Sequence, residues 1–320
     1  MANPLRPAIL AAARSPRMKS AITHAPGTRS LVTRFVAGED RGAALTVARA
    51  LLASGRSISL DHLGEDTADL GQARATVAEY RALLRELGDL PQARAGEPRP
   101  LEVSVKLSAL GQALPADGEA IALEHARVLC AAAEAAGVWV TVDAEDHTTT
   151  DSTLSIVTTL RADFPWLGAV LQAYLRRTEA DCRDLAGPGS RIRLCKGAYR
   201  EPGSVAYQSA GDVDASYRRC LAILMAGQGY PMVASHDPAM VAAAGDEAVR
   251  AGRGPDAFEH QMLYGIREGE QQRLADAGAG MRVYVPYGSQ WYAYFMRRLA
   301  ERPANLAFFV RQLVSRDSIH

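Results

Sequence analysis

From residue 57 onward the chain alternates between two patterns. Short runs of apolar and β-branched residues, many of them alternating with polar ones, cover 57–61, 103–110, 139–143, 169–175, 191–195, 232–235, 257–263 and 282–285. Such runs, bounded by Gly, Pro, Asp or Ser, predict strands. Between them lie segments with helical spacing at 67–87, 118–136, 152–164, 179–186, 213–226, 238–251 and 268–277. A further helix at 42–53 precedes the first strand, with Asp40 as its cap and Gly55 beyond its end. Gly137 and Pro165 end two of the later helices. Residues 1–41 are polar, contain proline and give only short helices and connectors.

Eight strand-like runs separated by helices predict an α/β protein built as a (β/α)8 barrel, the TIM-barrel layout. A doubly wound sheet is the runner-up, but the turn after its first strand is usually rich in glycine. Here that turn reads Ser-Leu-Asp-His-Leu-Gly-Glu, and the chain holds no Gly-x-Gly-x-x-Gly, no phosphate loop with its lysine and no Gly-x-Ser-x-Gly. One domain is expected over 1–320, with N-terminal helices at 1–55, the barrel at 56–310 and a tail at 311–320.

After the eighth strand the pattern changes. Pro286 and Gly288 stop the strand, Ser289 can cap a helix, and Pro303 ends it. On that helix Tyr294, Arg297, Arg298 and Glu301 fall on one stripe, while Phe295, Met296 and Leu299 lie mostly elsewhere and can hold the helix down. Two adjacent guanidiniums suit a carboxylate or phosphate, since each offers a planar fork of donors. A solvated face with an Arg–Glu pair is an equal alternative from spacing alone.

At 320 residues and 48% hydrophobic, the chain can bury one large core. The 36 basic and 36 acidic residues balance, so nothing points to nucleic acid. Lys19, Lys106 and Lys196 are the only lysines, which makes each a marked position. The four cysteines form no Cys-x-x-Cys pair, so neither a zinc site nor a disulfide framework is expected. No secretory signal and no run of about 18 apolar residues stands out. A soluble, cytoplasmic protein is expected, with peripheral membrane contact left open.

In such a barrel the chemistry sits at the C-terminal strand ends. The polar residues there are Lys106; Asp143, Glu145, Asp146 and His147; Gln172 and Tyr174; Arg193, Lys196 and Tyr199; Ser235, His236 and Asp237; Glu259, His260, Gln261 and Tyr264; and Tyr284 and Tyr287. Lys106 can pair with Asp143 as a structural charge. Asp143-Ala-Glu-Asp-His is rich in metal-capable groups, but neighbouring residues of a strand face opposite sides, so no metal is expected. Lys196 could form a Schiff base as in barrel aldolases, which gives a lyase as the alternative function. The cations Lys106, Arg193, Lys196, Arg297 and Arg298 would converge on an anionic ligand or cofactor.

Eight pieces in order carry a resemblance. They are Ser-Ile-Ser-Leu-Asp at 57–61, Val-Ser-Val-Lys-Leu-Ser-Ala-Leu at 103–110, Asp-Ala-Glu-Asp at 143–146 and Leu-Gln-Ala-Tyr-Leu at 171–175. Arg-Leu-Cys-Lys-Gly-Ala-Tyr at 193–199, Ala-Ser-His-Asp at 234–237, Phe-Glu-His-Gln-Met-Leu-Tyr-Gly at 258–265 and the 281–305 stretch complete them. With these the chain resembles the monofunctional bacterial proline dehydrogenases, whose barrel is shared with the bifunctional proline utilisation flavoproteins. The resemblance implies a distorted (β/α)8 barrel with FAD at the strand ends and the last helix over the mouth. It implies oxidation of L-proline to Δ1-pyrroline-5-carboxylate, electrons passing to a quinone, and a separate pyrroline-5-carboxylate dehydrogenase taking the product.

The implied roles follow residue by residue. Arg297 and Arg298 would clamp the proline carboxylate, helped by Lys106 and oriented by Glu301. Tyr199, Leu263, Tyr284 and Tyr294 would enclose the ring, with Tyr294 favouring proline over hydroxyproline. Asp143 would pair with Lys106 and handle the amine proton, and Arg193 would stabilise the reduced flavin. Ala144, Gln172, Cys195, Lys196, Gly197, Ser235 and His236 would contact FAD. Ser235 stands where threonine is usual, Cys195 where valine is common and Arg302 where asparagine is frequent.

Overall fold

The computed structural model describes residues 32–64, 67–94 and 96–301, without the side chains at 94, 297 and 299–301. The expected arm before residue 32 and the tail at 311–320 lie outside the described residues.

Among the described residues, eight parallel strands close into a barrel in sequence order. They are β1 Ser57–His62, β2 Leu101–Val105, β3 Trp139–Val142, β4 Gly168–Gln172, β5 Arg191–Cys195, β6 Tyr230–Ala234, β7 Glu259–Leu263 and β8 Met281–Tyr287. β1 closes the ring on β8 with Ser59 opposite Tyr284 and Asp61 opposite Pro286. The surrounding helices are α1 Arg41–Ala53, α2 Leu70–Gly88, α3 Gly118–Ala136, α4 Thr150–Arg161, α5 Thr178–Leu185, α6 Ala210–Ala226, α7 Pro238–Arg250 and α8 Glu268–Asp276. The last helix, α9, runs Trp291–Glu301.

Side chains of a strand alternate between its two faces, and that alternation builds two different cores here. The outward series Ile58, Leu60, Val103, Val105, Val140, Val142, Ile192, Leu194, Val283 and Val285 is buried. It belongs to the large apolar cluster completed by helical residues such as Leu83, Leu129, Leu160 and Leu221. The inward series is mostly polar, with Trp139 and Met232 packed against Arg191: Ser59, Asp61, Glu102, Ser104, Thr141, Arg191, Arg193, Glu259, Gln261 and Arg282 are all buried. Barrel interiors usually hold bulky branched residues, whereas this one is ionic.

Caps set several helix starts. Asp69 accepts from the Gln72 backbone N–H at 2.9 Å, so α2 begins at Leu70 and not at residue 67. Asp40 and Asp237 cap α1 and α7, the latter followed by Pro238. β2 ends at Val105, earlier than the sequence pattern reads, because Ser108–Leu110 turns into a 3-10 helix. Likewise β4 ends at Gln172, although Ala173 and Tyr174 still donate to the Cys195 and Lys196 carbonyls.

α9 does not continue the outer ring. Its Trp291, Tyr292, Tyr294, Phe295 and Met296 form a second apolar cluster with Val32, Phe35, Val36, Leu63 and Ile266. Leu63 follows β1 and Ile266 follows β7, so the helix lies across the C-terminal mouth. The incoming chain threads beneath it: Ala37 donates to the Pro286 carbonyl and Gly288 to the Gly38 carbonyl, each at 2.9 Å. Among the described residues no helix is long and apolar enough to cross a membrane.

Candidate active site

Arg193, on β5, points into the barrel and is 4% exposed. Its Nε donates to Gln261 Oε1 at 2.6 Å, one terminal nitrogen to Asp143 Oδ1 at 2.6 Å and Ser104 Oγ at 2.7 Å. The other reaches Glu102 Oε1 at 2.6 Å and Ser59 Oγ at 3.3 Å. Burial alone would lower its pKa, but Glu102 and Asp143 raise it above the ordinary arginine value. The guanidinium is therefore a fixed positive charge between the barrel floor and the mouth.

One layer higher, Lys106 Nζ lies 2.9 Å from Asp61 Oδ2 and 3.9 Å from Asp143 Oδ2. The expected Lys106–Asp143 pair is thus the longer of two: Asp61, at the end of β1, holds the ammonium more closely. Asp143 is instead fixed by Arg193, by Ser104 Oγ at 3.1 Å and by the Tyr284 hydroxyl at 2.8 Å. Burial raises the Asp143 carboxyl, against the pull of Arg193 and Lys106. Burial likewise pushes the Tyr284 phenol well above its usual value, so it stays protonated and donates to Asp143.

The floor balances these charges. Glu102 pairs with Arg191 and Arg193, and Glu259 with Arg282 at 2.7 Å. Burial would raise Glu102, yet Arg191, Arg282 and Arg193 hold it well below the usual carboxylate range. The Arg191 guanidinium stacks 3.6 Å above the Trp139 ring.

Around the rim, Gln172 Nε2 donates to the Glu145 carbonyl at 2.8 Å, and Glu145 accepts from the Ser108 N–H at 3.3 Å. Ala144 lies between Asp143 and Glu145 on the same loop, half-buried. The Cys195 thiol lies 3.6 Å from the Leu171 carbonyl, and burial pushes it up to about 12, so it is a thiol and not a thiolate. Gly197 has φ +111°, and a side chain there would strike the Tyr174 ring. Ser235 Oγ accepts from the Asp237 N–H at 3.1 Å. His236 Nε2 accepts from the Leu263 N–H at 2.9 Å, which places that ring's proton on Nδ1 when neutral.

Lys196 Nζ meets Asp214 at 2.5 Å and Asp237 at 2.7 Å. Burial lowers its pKa, but the hydrogen bonds it donates to Asp214 and Asp237 more than offset that and raise it. A Schiff-base lysine needs the opposite, a depressed pKa that frees the amine. The geometry disfavours the lyase alternative.

On α9, Tyr294 is 6% exposed, inside the apolar cluster, and the Arg298 guanidinium lies 5.1 Å from its ring centroid. Tyr294 therefore belongs to the face that fastens the helix, which the expected polar stripe does not convey. Leu263 packs against the same cluster, while Tyr199 packs on Tyr174 and Leu175 at the far side of the mouth. The side chains of Arg297 and Glu301 lie outside the described residues.

The structure brings Lys106, Asp143, Arg193 and Tyr284 into one connected group, and adds residues that the sequence reading passed over: Asp61, Glu102, Ser59, Ser104 and Tyr80. Tyr80 reaches in from α2, its hydroxyl 2.6 Å from the Ser104 carbonyl and 3.4 Å from Asp61. A parity signal was available for the strand residues, since Glu102 and Ser104 share the strand face of Lys106. Nothing comparable marks Tyr80.

Interlocked acids and bases at the strand ends, under a helical cover, define a barrel enzyme rather than a passive scaffold. Residues 44–311 match the proline dehydrogenase family model. The chain is 40% identical over 287 residues to the proline dehydrogenase of Deinococcus radiodurans, covering 89% of this chain and 90% of that one. It is 37% identical over 290 residues to proline dehydrogenase 1 of Bacillus subtilis, covering 91% and 93%. Among solved structures, proline utilization A of Bdellovibrio bacteriovorus, inactivated by N-propargylglycine, superimposes with a TM-score of 0.79 at 26% identity. That match covers 93% of this chain and 35% of the other. The chain belongs to the proline dehydrogenase family.

Proposed function

We propose that the protein oxidises L-proline to Δ1-pyrroline-5-carboxylate with FAD bound at the C-terminal mouth, and that a quinone takes the electrons. The observation that carries this is the Asp143–Arg193–Lys106–Tyr284 group beneath a rim suited to a dinucleotide. A lysine ammonium has three N–H groups. Asp214 and Asp237 take two from Lys196, leaving one for a phosphate oxygen. Gly197, next in the chain, would let the cofactor contact backbone without a side chain between them. Gln172, Cys195, Ala144, Ser235 and His236 would line the cofactor between them.

When bound, the flavin supplies the hydride acceptor. The chain's own residues do the rest. Arg297 and Arg298 would clamp the substrate carboxylate, helped by Lys106 and oriented by Glu301. Tyr199, Leu263, Tyr284 and Tyr294 enclose the pyrrolidine ring, exclude water and fix the reacting carbon. Asp143 receives the amine proton, and its burial-raised carboxyl suits that task. Arg193, a permanent cation one layer down, stabilises negative charge arriving at the mouth. The product then leaves for a pyrroline-5-carboxylate dehydrogenase.

Visible spectroscopy tests this reading. The purified protein should be yellow, and anaerobic L-proline should bleach the flavin band. A protein that takes up no FAD on reconstitution, or whose bound flavin ignores proline, overturns it.

A further inference from the structure

The loop between β5 and α6, residues 196–209, carries Lys196, Gly197 and Tyr199. A loop of that length can place an aromatic ring accurately only if something pins it. Two residues beyond Tyr199, the chain buries an acid: Glu201 is 8% exposed. Burying a carboxyl group is costly unless donors meet it. Here they come from two other loops of the mouth. The His147 backbone N–H donates to Glu201 Oε1 at 3.0 Å, and the His147 ring pairs with Oε2 through Nδ1. The Tyr174 hydroxyl donates to Oε1 at 3.2 Å. His147 follows β3 and Tyr174 follows β4, so one carboxyl group ties the β5 loop to both neighbours.

The same tyrosine secures the loop a second way. Its ring occupies the space beside Gly197 that a Cβ would need. Its N–H donates to the Lys196 carbonyl at 2.9 Å, and its carbonyl accepts from the Tyr207 N–H at 2.8 Å. Tyr199 then packs on the cluster of Tyr174, Leu175 and Ala206.

We propose that Glu201 is a positioning residue for the reaction: through His147 and Tyr174 it fixes the loop that presents Tyr199 to the substrate. The inference rests on the reading of Tyr199 as a substrate contact.

The test is a double-mutant cycle on the flavin-loaded enzyme, with melting temperature and flavin content recorded for every variant. Tyr199→Ala should raise the KM for proline about tenfold, as loss of apolar enclosure does. Glu201→Ala should raise KM by a similar factor, about tenfold, with kcat changed less than about threefold. Glu201→Gln should recover most of the loss, because its carbonyl oxygen can still accept from the His147 N–H and the Tyr174 hydroxyl. In the Tyr199→Ala background, Glu201→Ala should add little, since both changes remove one effect. If Glu201→Ala fails to fold, Tyr174→Phe deletes a single donor and should give a smaller rise, about threefold, with the same non-additivity.

Additive effects, or an unchanged KM in flavin-loaded Glu201→Ala, overturn the positioning role while leaving Tyr199 as a contact. An unchanged KM in Tyr199→Ala removes the substrate contact itself, and the inference falls with it.

Discussion

A guanidinium has five N–H groups, and Arg193 finds five acceptors, on β1, β2, β7 and beyond the end of β3. No lysine could serve them all. The sequence made Arg193, Lys106 and Asp143 visible because each falls at a strand end. It hid Asp61 behind an apolar run, and it hid the reach of Tyr80 from α2, since a helix pattern does not say which long side chain crosses into a neighbouring layer. His260 shows the same physics on the other face of a strand. It faces outward on β7, 5% exposed, with the Phe258 ring 5.4 Å away. Burial lowers its pKa from 6.5 to about 4. Below the unfolded value the unfolded chain gains a proton that the folded chain refuses, so stability is lost as pH falls from 6.5 towards about 4. At about 1.4 kcal/mol per unit the loss approaches about 3 kcal/mol. Urea unfolding of His260→Leu against the parent at pH 7 and pH 4.5 should show the variant losing less stability on acidification; equal losses would put the acid sensitivity elsewhere.

At the scale of elements, α9 lies across the mouth and is held there by an apolar cluster of its own. Phe295 is fully buried, 5.9 Å from the Trp291 ring and 6.4 Å from Phe35. Phe295→Ala should cost about 3 kcal/mol of docking. Because this cluster is distinct from the barrel core, the loss should appear as a rise in proline KM of about tenfold or more, with a melting temperature close to the parent's. A large fall in melting temperature with unchanged KM would show that the helix does not act as a cover. The sequence foretold α9, its rough limits and its place over the mouth, the last only through resemblance. Helical spacing groups Tyr294 with Arg298, whose guanidinium lies 5.1 Å from its ring, but it does not say that the tyrosine is also buried in the apolar cluster. Here two surfaces, the barrel mouth and residues 32–36, compete for the helix.

For the whole molecule, the described barrel interior holds four acids (Asp61, Glu102, Asp143, Glu259) and four bases (Lys106, Arg191, Arg193, Arg282). That parity explains how an ionic core survives burial. It also explains why the barrel was so legible: apolar and charged positions alternate along the strands, where a conventional interior would give continuous apolar runs. What the alternation could not convey was pairing, which depends on strand stagger. Glu102→Gln would leave Arg191 and Arg193 sharing an uncompensated charge, at a cost of about 3–5 kcal/mol. Chemical denaturation should register it; a change below about 1 kcal/mol would mean that water or rearrangement replaces the lost charge. Finally, the described residues begin and end side by side: residues 35–38 are clasped between the end of β8 and α9. Anything grafted just upstream of that clasp would tug on the cover before it troubled the barrel. Substrate affinity, rather than solubility or yield, would be the first property to reveal a poorly chosen insertion there.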